Sequence, residues 1–231
     1  MKDFEALYRS EGRYHHSLTG FPRWWTRENY RILSEWVETG ELLLDLACGD
    51  GAFWPFIPTA RVVGIDHAAT GLRIARETGE NPVARGDMRA LPFRTGSFDA
   101  AACSLSLQYL RPDELAGCLS EIVRVLRESG RFLFSYPNVR PDTPPDAAHA
   151  AIPLESLTEC LEKAGFRRLD IRCISQRLPR RLFAWSLRPK LRFIPYLYWR
   201  IFRIFGCRPF RSYHYAVLCE SPGCEPQGAA S

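Results

Sequence analysis

The residues Leu42-Leu43-Leu44-Asp45-Leu46 run without polar alternation into Ala47-Cys48-Gly49-Asp50-Gly51. A short continuous apolar run is what a strand covered on both faces requires, and such strands belong to parallel sheets flanked by helices. The two glycines that follow allow a sharp turn and a close backbone approach to a ligand. The pattern then repeats. Arg61–Asp66, a weak strand at Pro82–Ala84, Phe98–Leu107, Arg131–Ser135, Leu169–Ile174 and Tyr213–Cys219 all read as strands. Helical spacing lies between them, in Leu72, Ile74 and Ala75, in Leu115, Leu119, Ile122, Val123 and Leu126, and in Leu154, Leu157, Leu161 and Ala164. Strands alternating with helices predict an α/β chain: a doubly wound, mostly parallel sheet of seven strands. Pro112 suits the first turn of its helix, and Gly130 is placed to cap that helix in the left-handed conformation.

A length of 231 residues fits one such domain. Residues 1–40 read as an N-terminal helical cap: Phe4, Leu7 and Tyr8 share one face, Tyr30, Leu33, Trp36 and Val37 another, and Gly40 closes the segment. The domain proper is expected over 41–220, with 221–231 a disordered tail. No run is long and apolar enough for a membrane span, and the opening residues Lys2, Asp3, Glu5 and Arg9 lack the apolar core of a signal peptide, so a cytoplasmic protein is expected. The eight cysteines form no Cys-x-x-Cys pair and no histidine cluster complements them. They read as reduced, mostly buried thiols, with no metal site.

Three motifs carry chemistry. The first is the Gly49-x-Gly51 turn. A third glycine of a dinucleotide fingerprint would fall at 54, which is Trp54. That speaks against a nucleotide-dependent oxidoreductase, the alternative enzyme on such a sheet. Pro55 and Pro58 cut short the helix after the turn and should loosen that wall. The second motif is Asp66, 17 residues after Gly49, at the end of the second strand, where a carboxylate can accept from both hydroxyls of a ribose. Its place at a strand end predicts that the fold tolerates its removal. The third is Gly86-Asp87-Met88 with Leu91-Pro92-Phe93 and Ser97-Phe98-Asp99 behind it. A carboxylate at Asp87 can accept from an adenine amino group.

In this order and spacing the three motifs resemble the class I S-adenosylmethionine-dependent methyltransferases, in particular the broad type 11-like group acting on small molecules. The resemblance spans roughly residues 40–175 and the strand at 213–220. It implies a Rossmann-like sheet whose last strand is antiparallel, and S-adenosyl-L-methionine as cofactor. It further implies that Asp45, Gly49 and Gly51 shape the pocket for the methionine part, that Asp66 holds the ribose, and that Asp87 and the Met88 backbone hold the adenine. Backbone carbonyls at the end of the fourth strand, around Cys103, Ser104 and Leu105, would reach the ammonium. The implied reaction is methyl transfer to an O, C or N atom of a small or lipid-like acceptor.

No histidine is decisive as a general base. His15 and His16 lie in the N-terminal segment and His149 in the loop after the fifth strand; these are the weak candidates. His67 reads as a structural residue or a pocket wall, His214 as a residue satisfied within the sheet, and Tyr109 as facing the acceptor. The net charge of +5 is concentrated in residues 177–211, which hold ten basic residues, nine aromatic ones and no acid. The remainder of the chain is net acidic. This segment reads as a lid over a hydrophobic acceptor, as a helix in peripheral contact with an anionic membrane surface, or as a patch for nucleic acid. A methyltransferase acting on nucleic acid is the weaker alternative, because no recognised RNA-binding module accompanies the segment.

Overall fold

The computed structural model describes residues 4–11, 20–139, 151–176 and 212–222. The strands are β1 (Leu42–Leu46), β2 (Arg61–Asp66), β3 (Val83–Arg85), β4 (Phe98–Ser104), β5 (Leu126–Pro137), β6 (Arg167–Gln176) and β7 (Ser212–Glu220). They form one sheet in the order β3-β2-β1-β4-β5-β7-β6. Neighbours from β3 to β5 pair in parallel, and β7 runs antiparallel between β5 and β6. The helices are α1 (Phe4–Glu11), α2 (Gly20–Ser34), α3 (Ala69–Thr78), α4 (Pro112–Val125) and α5 (Leu154–Lys163). This is the doubly wound, Rossmann-like sheet that the strand runs predict.

The unbroken apolar strands are explained by two cores. Successive side chains of a strand point to opposite faces. Leu44, Leu46, Ala101, Cys103, Phe132 and Phe134 face one core, closed by Leu115, Leu119 and Ile122 of α4 and Leu157 and Leu161 of α5. Leu43, Val62, Ala100, Ala102 and Leu133 face the other, closed by Leu33 of α2, Trp36 beyond it, and Leu72 and Ala75 of α3. The described cysteines 48, 103, 118, 160 and 219 are free thiols, all buried but Cys160. No described helix is long and apolar enough to cross a membrane.

One local expectation is corrected. Gly130 does not cap α4: the helix ends at Val125 and the chain becomes extended at once, at Leu126. The pairing jumps from Phe98↔Leu126 to Ala100↔Arg131, so the residues between bulge out of the ladder. Ser129, not Gly130, takes the left-handed conformation, with φ 57°. The bulge is then tied to the end of β7, where Ser221 donates its N–H to the Gly130 carbonyl at 2.7 Å and its hydroxyl to the Arg127 carbonyl at 2.7 Å.

The crevice at the end of the first and fourth strands

In an open α/β sheet, ligands bind outside the carboxyl ends of the strands where the strand order reverses. Here that point lies between β1, whose chain continues to β2 on one side, and β4, whose chain continues to β5 on the other. Leu46 and Cys103 are paired at the rim. Just beyond them, Ala47 (φ 55°) and Leu105 (φ 52°) both adopt the left-handed conformation although neither is glycine. Such strain persists only where the surroundings impose it. Gly49 (φ 56°) and Gly51 (φ 74°) complete the turn above β1.

Two carboxylates hold this turn. Asp66 accepts from the Gly49 N–H at 2.9 Å through Oδ2 and from the Ala68 N–H at 2.8 Å through Oδ1. It is only 7% exposed. Its removal would leave these two backbone donors without their acceptor. Asp45 accepts at 2.9 Å from Nε1 of Trp54. The Trp54 ring lies so close to Gly51 and Gly64 that a Cβ on either would come within 2.7 and 2.9 Å of it. Trp54 thus fills the space beneath the turn and gives a buried acid its donor. The prolines do cut the following helix to the single 3-10 turn Trp54–Phe56. That wall is nonetheless not loosened: Phe53 and Trp54 are buried, and Tyr30 of α2 packs on Phe53 and Phe56 with ring centroids 5.5 and 5.4 Å apart.

Asp45, Asp50 and Asp66 are all nearly buried around the turn. Burial pushes the Asp45 carboxyl up to about 7; the Trp54 hydrogen bond opposes that shift and the neighbouring Asp66 adds to it. Above the turn lies α1. Its Tyr8 hydroxyl sits directly over Gly49, where a Cβ would be 2.1 Å from it. Burial, with Asp50 and Asp66 nearby, pushes the Tyr8 phenol far up, so it stays protonated. Glu5 accepts from the backbone N–H and the hydroxyl of Thr70 at 3.2 and 2.5 Å, in the first turn of α3. Phe4 packs edge-on against Tyr109 at 4.9 Å and His67 at 6.4 Å. Tyr109 thus meets α1.

Asp87 follows directly on from Asp66 in space: the Gly86 N–H donates to the Asp66 carbonyl at 2.9 Å. Its carboxylate is held by the Arg89 backbone N–H at 2.9 Å and by the Arg89 guanidinium, which also reaches Glu114. The Arg89 hydrogen bonds keep the Asp87 carboxyl below its usual range. Met88 is half-buried against the core. Across the crevice, Ser104 Oγ accepts from Asn29 Nδ2 at 2.7 Å. The structure thus gathers Asp45, Gly49, Gly51 and Asp66 around one turn, sets Asp87 and Met88 beyond Asp66, and puts Ser104 on the opposite lip. His214 packs on Trp25 with ring centroids 4.5 Å apart. His15, His16, His149 and the whole of 177–211 lie outside the described residues. Sequence reading missed Tyr8, Asn29 and Arg89. Tyr8 and Asn29 are brought to the site by tertiary packing, whereas Arg89 reaches Asp87 from two residues along the chain.

A family model described as a methyltransferase domain matches residues 44–134. A demethylmenaquinone methyltransferase of Lactococcus lactis is 38% identical over 105 residues, covering 40% of this chain and 40% of that protein. The chain spans between 31% and 54% of the length of the curated relatives it matches. Among solved structures, a chain from a complex of the Haloferax volcanii Trm112 methyltransferase activator with a methyltransferase superposes with a TM-score of 0.69 at 18% identity, covering 96% of this chain and 99% of that one. Haemonchus contortus phosphoethanolamine N-methyltransferase 2, solved with S-adenosyl-L-methionine, gives 0.62 at 16% identity over 96% of this chain and 60% of that one. At these identities the structures share the fold.

Proposed function

We propose that this chain, whose residues 44–134 match a methyltransferase-domain family model, is a class I S-adenosylmethionine-dependent methyltransferase that transfers a methyl group from S-adenosylmethionine to an O, C or N atom of a small or lipid-like acceptor. The observation that carries this reading is the glycine turn at the strand-order reversal with three nearly buried carboxylates around it. Clustered acids in a low-dielectric crevice favour a cationic ligand over a neutral or anionic one. That suits a sulfonium and ill suits a diphosphate. The glycines allow the close approach of the Tyr8 hydroxyl and the Trp54 ring, which shape the turn.

When bound, the sulfonium supplies a methyl group with its leaving group already in place, so positioning accounts for much of the acceleration. The residues of this chain divide that task. Asp66 has lone pairs left for ribose hydroxyls while its two backbone contacts fix its direction. Asp87, oriented by Arg89, serves the adenine amino group. Asp45, Gly49 and Gly51 shape the methionine end. Tyr8 and Phe4 of α1 roof the crevice and exclude water from it.

For the acceptor, the lipid-like reading has two supports: the name of the Lactococcus relative, which implies a quinone-type acceptor for that protein, and the basic, aromatic composition of 177–211. Calorimetry should show S-adenosylmethionine and S-adenosylhomocysteine binding, with no heat from NAD; the reverse pattern would overturn the reading. Incubation with isotopically labelled donor and a demethylated naphthoquinol, followed by mass spectrometry, tests the acceptor class. Sedimentation with anionic and neutral vesicles at two salt concentrations tests the membrane contact. Binding to anionic vesicles that fades as salt rises supports it, because exposed charges are screened over about 10 Å at 0.1 M salt. Absence of binding at low salt leaves the lid.

A further inference from the structure

Asn29 is fully buried on α2, and its Oδ1 has no hydrogen-bond partner among the described residues. Its Nδ2 is pinned to the hydroxyl of Ser104, the last residue of β4. Ser104 follows Cys103, which pairs with Leu46, so the amide stands across from the point where β1 opens into the glycine turn. Backbone acceptors beside it are engaged: the Ser104 carbonyl accepts from Ser106 Oγ at 3.2 Å, and the Leu105 carbonyl from Gln108 Nε2 at 2.6 Å. A buried carbonyl oxygen without a donor is costly and calls for an explanation. Here the explanation is a ligand that brings its own N–H. The acids Asp45, Asp50 and Asp66 around the crevice favour a positively charged one.

We infer that Asn29, held by Ser104, is a specificity-determining residue whose Oδ1 accepts a hydrogen bond from the α-ammonium group of the bound methyl donor and of its demethylated product. The inference rests on the donor reading above. It divides recognition between the amino-acid end, read from α2, and the adenosine end, read by Asp66 and Asp87. Asn29 lies outside the region matched by the family model.

Two probes separate a ligand contact from a structural one. S-adenosylhomocysteine carries the ammonium; 5′-methylthioadenosine keeps the adenosine and thioether but has no amino-acid end. In calorimetry, Asn29→Leu should weaken S-adenosylhomocysteine by about ten- to hundredfold, the scale of a hydrogen bond to a charged group. Its affinity for methylthioadenosine should stay within about twofold of the parent protein. Without ligand, the variant should melt close to the parent temperature, because losing the Nδ2–Ser104 hydrogen bond is offset by removing the unsatisfied buried oxygen. Equal losses for both probes, or an unchanged affinity for S-adenosylhomocysteine, would overturn the assignment while leaving the donor reading intact. A parent protein that binds neither S-adenosylmethionine nor S-adenosylhomocysteine would overturn both. Should the leucine variant not fold, Asn29→Ala, which cannot overpack the site, repeats the comparison with the same outcomes.

Discussion

Replacing Asp66 by alanine strips the Gly49 and Ala68 N–H groups of their acceptor. Orphaned buried donors cost about 1–3 kcal/mol each, so urea unfolding should show a loss on that order, in addition to weaker binding of S-adenosylhomocysteine. A variant as stable as the parent would mean that the turn is held by other contacts. Asp45 makes a prediction of a different kind. Between its ordinary value of 3.8 and its folded value of about 7, the native state binds more protons at this residue than the unfolded chain does. Stability contributed by the protonated carboxyl is therefore fully present below the lower value and lost as pH rises through the upper one. Asp45→Asn abolishes that titration. Urea melts from pH 5 to pH 8 should show the variant gaining on the parent as pH rises, the gain levelling off above the folded value; parallel curves would contradict the buried, raised carboxyl. Neither residue disclosed these roles in the sequence. Asp66 was legible as an acid at a strand end, but its two backbone contacts depend on how the Gly49 turn and the Ala68 loop close around it. Trp54 was legible only as a missing glycine, and its service to Asp45 needs the folded turn.

At the level of elements, α1 meets the domain through Glu5 on Thr70, Phe4 between His67 and Tyr109, and Tyr8 over Gly49 and against Ala68 and Ile74. Glu5→Ala removes the first of these and leaves the N-terminal turn of α3 without that acceptor. Hydrogen–deuterium exchange should quicken in residues 4–11 and around Thr70 while β1, β4 and β5 keep their protection. Equal quickening across the sheet would show that α1 is integral to the core instead of a roof over the crevice. The central strands could be placed from sequence because both of their faces are covered, so that Leu43 and Leu44 are apolar for two different cores. The bulge at 127–130 could not. Its Glu128-Ser129-Gly130 looks like a helix stop, and only the pairing with β4 and the tie to Ser221 make it part of a strand. The N-terminal helices were legible as apolar faces, but periodicity says only that Tyr8 faces inward, not which loop it meets. An asparagine such as Asn29 gives no periodic signal at all.

For the molecule as a whole, the family match over residues 44–134 takes in β1, the glycine turn and β4, while the roof and the α2 side of the crevice come from residues before position 44. The sheet has one further property with a bearing on how the protein is made. Among the described strands β7 is the last in sequence, yet it lies between β5 and β6, pairing Arg131–Pro137 on one side and Arg167–Gln176 on the other. A nascent polypeptide leaving the ribosome therefore carries an open flank on β5 and a solitary β6 until residues 212–220 emerge. The N–H and C=O groups along both must remain hydrated in the meantime, and strand edges of this kind invite pairing with other chains. Closing the gap joins segments far apart in sequence, which is slow compared with local helix formation. A premature stop before residue 212 would accordingly yield no trimmed catalyst, but a chain with two raw seams, destined for chaperones or proteases.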